Sequence, residues 1–107
     1  MTTVVAFGSF DIVHPGHLAY LKAGSELGDM LVVVVTPDRV LKKYKGHAPI
    51  FSQEERMRIV SALRVVDRVI LGDWDESWNV LKQIKPQVIF VGYDQPDAIT
   101  SLRNSKM

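Results

Sequence analysis

The sequence contains no cysteine. That single absence excludes disulfides, thiolate zinc sites, iron–sulfur ligation and a cysteine nucleophile, and it fits a reducing, cytoplasmic setting. An excess of one charge sign is missing too. Thirteen Lys+Arg against 12 Asp+Glu leave +1, which argues against a general nucleic-acid or membrane-surface binder and makes any phosphate recognition local. No apolar run approaches the roughly 18 residues of a membrane span; the longest lies around residues 31–35. Met1-Thr2-Thr3 lacks the basic-then-apolar order of a secretory signal. Repeats, low-complexity runs and Pro/Ser-rich linkers are absent as well. What is present, 47% hydrophobic and 23% charged residues in a chain of 107, is the composition of one globular domain.

Four short segments rich in valine and isoleucine punctuate the chain, at residues 3–8, 30–36, 67–72 and 87–92. Their hydrophobicity is continuous rather than alternating, so they read as parallel strands covered on both faces. Between the first two, residues 16–27 read as a helix with Leu18, Leu21 and Leu27 on one face, stopped by Gly28. Residues 37–51 read as a polar stretch holding Lys42, Lys43, Lys45 and His47. Ser52-Gln53-Glu54-Glu55 is a capping box opening a long helix, apolar through Met57, Ile59, Val60 and Leu63 and polar through Arg56, Arg58 and Arg64. A third helix is expected over residues 76–84, ended by Pro86, with Trp74 and Trp78 packing. The alternation of strand and helix predicts a Rossmann-like, doubly wound α/β domain with helices on both faces. A strand order of 3-2-1-4 would open the loops after strands one and four on the same edge of the sheet.

The most informative stretch is Gly8-Ser9-Phe10-Asp11-Ile12-Val13-His14-Pro15-Gly16-His17. It falls where the first strand hands over to a helix, a position that favours a bound anion. Pro15 presets the first helical turn, Gly16 permits close backbone approach, and His14 and His17, three apart, can face one side of that turn. Two imidazoles there can donate to phosphate oxygens. The plainer reading has one histidine capping the helix and the other packing. A metal site lacks a third ligand of matching spacing, and His47 lies too far along its loop to join them.

These residues resemble the G-T-F-D…H-x-G-H signature of the cytidylyltransferase-like nucleotidyltransferases, with Ser9 in place of the usual threonine. The likeness continues through Leu27-Gly28-Asp29, residues 42–45, Glu55-Arg56, Leu63-Arg64-Val65-Val66-Asp67 and Val91-Gly92-Tyr93-Asp94. It implies that His14 and His17 meet the nucleotide phosphates, and that Lys42 or Lys45, Arg56 and Arg64 also contact phosphate. Gly8, Ser9, Phe10, Asp11, Gly16, Gly92, Tyr93 and Asp94 would line the nucleotide site.

The reaction implied joins a nucleoside monophosphate, from ATP or CTP, to a phosphorylated acceptor and releases pyrophosphate. The attacking phosphate is already anionic, so positioning and charge stabilisation matter more than a general base. Mg²⁺ bridging the phosphates, steered by Asp11, is expected. Residues 46–50 with Val91-Gly92-Tyr93-Asp94-Gln95 most resemble the archaeal FAD synthases, in which FMN is adenylylated. Glycerol-3-phosphate and heptose-phosphate nucleotidyltransferases share the same elements, and a nucleotide-binding module without turnover is the non-enzyme alternative. A homodimer, with neither nucleic acid nor membrane as partner, is the expected assembly. The domain is expected over residues 1–95, with a polar tail at 96–107. Family members usually continue into a fifth strand and a Ser/Thr-rich helix start. No such segment follows Asp94, so either the chain is truncated or its fourth strand is an edge in need of cover.

Overall fold

The computed structural model describes residues 1–72 and 79–90, with only the backbone of Tyr44, Lys45, Asn79 and Val80. Thr3–Gly8 form β1, Pro15–Ser25 α1, Met30–Val35 β2, Asp38–Lys45 α2, Gln53–Ser61 α3, Arg68–Leu71 β3, Asn79–Ile84 α4 and Val88–Phe90 β4. The strands make one parallel sheet ordered β3-β2-β1-β4, as expected. Trp74, Trp78 and the start of the helix expected from residue 76 lie outside the described residues, as does everything after Phe90.

Successive side chains along β1 and β2 alternate between two apolar layers. Val4, Ala6, Leu31, Val33 and Val35 meet Leu21 of α1 and Val60 of α3 on one face. Val5, Phe7, Val32 and Val34 meet Leu81 of α4 on the other. Both central strands are therefore buried on both sides, which is why their hydrophobicity is unbroken. Crossovers of one hand put α1 and α3 on one face while the strands advance to β3, and α4 on the other when the chain returns beyond β1 to β4. The strand order reverses at β1, so β1 and β4 diverge beside the loop that carries both histidines.

The strand starts are pinned by polar side chains one residue ahead of them. Asp29 accepts from the N–H of Thr2 at 2.7 Å, Asp67 from Leu31 at 2.7 Å, and Gln87 from Thr3 at 2.7 Å.

Several local expectations are corrected. The first helix ends at Ser25 with Glu26 in a right-handed cap, so Gly28 is no helix stop. Its need for glycine is close packing: a Cβ there would lie 2.7 Å from the Thr2 carbonyl oxygen. Leu18 and Leu27 are exposed, and the buried positions of α1 are Leu21 and Gly24, where a Cβ would crowd the Phe90 ring at 3.0 Å. The stretch at 37–51 is not all loop, since Pro37 opens α2, and Gly46, at φ 77°, closes it in the left-handed conformation that suits glycine. The long helix is nine residues, with its capping box intact. Ile59 is exposed and Arg56 is fully buried, the reverse of their expected faces.

Candidate active site

The loop between β1 and α1 doubles back at Phe10, whose φ of 51° is strained for a side-chain-bearing residue. Its buried ring folds over Gly8, where a Cβ would lie 2.5 Å from Phe10 Cε2, so glycine is required. The same ring braces His17, with centroids 5.3 Å apart.

The two histidines cap the helix they introduce. The N–H of Gly16 donates to His14 Nδ1 at 3.0 Å, and the N–H of His14 donates to His17 Nδ1 at 3.2 Å. Gly16 is needed here because a Cβ would lie 2.8 Å from His14 Cε1. The rings sit 4.0 Å apart, tilted by 35°. With Nδ1 accepting, the proton of each neutral imidazole is on Nε2. Capping and a donor role toward anions are thus compatible, and both rings are fixed before any ligand arrives.

Arg56 reaches from α3 beneath this loop. Its Nε donates to the Phe51 carbonyl at 3.1 Å, one terminal nitrogen to the Ser9 carbonyl at 2.7 Å, and the other to Asp38 Oδ1 at 2.7 Å. Asp38 and Gln53 cap each other's helices: Asp38 N–H donates to Gln53 Oε1 at 2.9 Å, and Gln53 N–H to Asp38 Oδ2 at 3.1 Å. Asp11 ties the loop from its other side, accepting from the N–H groups of Ile50 and Phe51 at 2.9 Å each. Loop, α2 and α3 form one hydrogen-bonded unit.

Not every expected site residue joins it. Lys42 is exposed on α2 and, with Arg39, Pro49 and Ile50, lines a cavity of about 410 Å³ next to the Asp11 tether. Lys45 ends α2, its side chain outside the described residues, and Gly92, Tyr93 and Asp94 lie outside them entirely. Arg64 is exposed beyond the far end of α3, a helix about 14 Å long by its nine residues. Asp67, three residues on, bonds the start of β2, so Arg64 stands at the opposite sheet edge from the histidines. Among the described residues no group of three His, Cys, Asp or Glu side chains could hold a metal ion. Asp11 accepts one backbone N–H on each oxygen, which fixes its carboxylate as a tether of the loop. Asp38 and Gln53 do not stand out in the sequence; an acidic residue directly after Pro37, the pattern of a helix start, is the available signal.

A family model described as cytidylyltransferase-like matches residues 5–106. Among curated proteins, the FAD synthase of Ferroglobus placidus is 46% identical over 95 residues, covering 89% of this chain and 61% of its own. That of Thermoplasma acidophilum is 45% identical over 95 residues, covering 89% and 66%. A crystal structure of the lipopolysaccharide core biosynthesis protein from Thermoplasma volcanium superimposes with a TM-score of 0.83 at 45% identity, over 89% of this chain and 77% of that one. The chain spans 61 and 66% of the length of these two curated relatives.

Proposed function

We propose, from the premise that the chain belongs to the cytidylyltransferase-like family, that it transfers an adenylyl group from ATP to FMN. An FMN phosphate oxygen attacks the α-phosphorus of ATP and forms the new P–O bond. The bond to the bridging oxygen of the β-phosphate breaks, and pyrophosphate leaves with that electron pair. Support for the acceptor comes from the relatives named FAD synthase.

The observation that carries the reading is the reciprocal cap of His14 and His17. It presents Nε2–H donors at a helix N-terminus, where phosphate charge is favoured. Lys42, at the cavity beside the loop, supplies a cation for the phosphates, and Lys45 follows it one turn on. The apolar side of that cavity, Pro49 and Ile50, suits the flat ring of the acceptor. Gly8, Ser9, Phe10, Asp11 and Gly16 serve the nucleotide by shaping the loop, and Gly92, Tyr93 and Asp94 are assigned to the nucleotide by resemblance. Among the described residues no cluster forms a resident metal site, and Mg²⁺ enters this reading with the nucleotide substrate, whose phosphates it bridges. We assign the reaction to the cytoplasm, where both substrates occur; no helix among the described residues is long and apolar enough to cross a membrane. A homodimer remains the proposed assembly.

A second reading, nucleotidyl transfer to a sugar phosphate, is favoured by the structural neighbour, which is named for lipopolysaccharide core biosynthesis. Pyrophosphate release measured with ATP or CTP against FMN, glycerol phosphate and sugar phosphates separates them. Release with ATP and FMN alone is expected. Release only with a sugar phosphate establishes the second reading, and no release with any pair leaves a nucleotide-binding module.

A further inference from the structure

Family resemblance makes Arg56 a phosphate contact, but its environment assigns it other work. The guanidinium is fully buried, each of its three nitrogens donates to the protein, and its charge is met by Asp38. We infer that Asp38 and Arg56 form a positioning pair for nucleotidyl transfer, holding the histidine loop in register with the lysine-bearing helix, with Arg56 buried away from substrate and Asp38 at the wall of the cavity that Lys42 lines. This inference rests on the proposed reaction and adds two residues acting through others.

Arg56 holds Ser9 and Asp11 is held by Ile50 and Phe51, so the strained residue between them, Phe10, is clamped on both sides. Phe10 in turn braces the His17 ring. A turn of that kind persists only when its surroundings over-determine it. On the other side, Asp38 is the first residue of α2 and shares two hydrogen bonds with Gln53, the first of α3. One ion pair therefore couples the element that carries Lys42 to the turn that orients His17. Misplacement by about 1 Å at such a site can cost about 100-fold in rate.

The test uses the full chain with Asp38→Asn, Asp38→Glu, Arg56→Lys and the double variant Asp38→Asn/Arg56→Lys. Two readouts are taken: ¹⁵N resonances of the His17 ring in the ligand-free protein, and steady-state pyrophosphate release. Asp38→Asn keeps the shape and one acceptor. It should move the His17 signals and lower kcat roughly 10- to 100-fold, with KM for ATP changed less than about threefold. Asp38→Glu should recover most of the loss, which also serves if the asparagine variant does not fold. The double variant should be no worse than the poorer single one, as expected for groups that act as a unit. Unmoved His17 signals in Asp38→Asn, or a raised KM for ATP in Arg56→Lys with Asp38→Asn silent, would overturn the inference and return Arg56 to the substrate. If the wild type turns over no acceptor, the proposed reaction fails, and the ring resonances alone decide the pair.

Discussion

The Tyr20 hydroxyl donates to the Phe90 carbonyl at 2.8 Å while the two rings stack 4.9 Å apart. The same oxygen lies 3.3 Å from the Phe7 carbonyl, so one side chain spans the ends of β1 and β4 where they part. Tyr20→Phe keeps the stack and removes the hydroxyl that bonds the Phe90 carbonyl. A loss of about 1 kcal/mol is expected, read as a lowered thermal midpoint by circular dichroism; an unchanged midpoint would show that the bridge contributes nothing.

Capping and chemistry can be separated at the histidines. Asparagine is a favoured N-cap, and glutamine three residues on completes a capping box. His14→Asn and His17→Gln should therefore stay within about 1 kcal/mol of the parent stability while turnover falls by orders of magnitude. Denaturant titration and pyrophosphate release measured on the same samples decide it. A variant that is stable and still active removes that histidine from the reaction.

Gly28→Ala should destabilise by about 1 to 3 kcal/mol. The added Cβ meets the Thr2 carbonyl oxygen, which cannot retreat because it already accepts from Asp29 and Met30 at 2.7 and 3.1 Å. Urea unfolding gives the value, and an unchanged midpoint would contradict the packing argument.

Ile50→Asp places a charge on the apolar side of the cavity beside Asp11. KM for FMN should rise about tenfold, equivalent to about 1.4 kcal/mol, with KM for ATP nearly constant. Kinetics with each substrate varied in turn would expose the opposite pattern, which would assign the cavity to the nucleotide.

The central strands are legible in the sequence because burial on both faces writes itself as unbroken valine, and α3 because Ser52 and Glu55 announce its start. Its Arg56 is not, because a buried cation is made tolerable by a counterion 18 residues earlier, which no periodicity reports. Helix α2 is hidden by its four basic residues; only Val40 and Leu41 of its apolar side chains are described as buried. Gly28 misleads because a glycine that ends a helix and one that lets two backbones approach look identical in sequence. The histidine pair is legible from its spacing, and its two readings, cap and phosphate donor, do not compete.

The pins ahead of the strands carry a kinetic meaning. Asp29, Asp67 and Gln87 reach partners 27, 36 and 84 residues away. Closing a longer loop costs more chain entropy, and non-local pairings slow folding. Loop entropy alone thus favours pairing of β1–β2 and β2–β3 before β4 docks against β1. Docking of β4 aligns Phe90 beside Ala6 and brings it to Tyr20, so the crevice next to the histidines depends on the longest-range pairing in the described sheet.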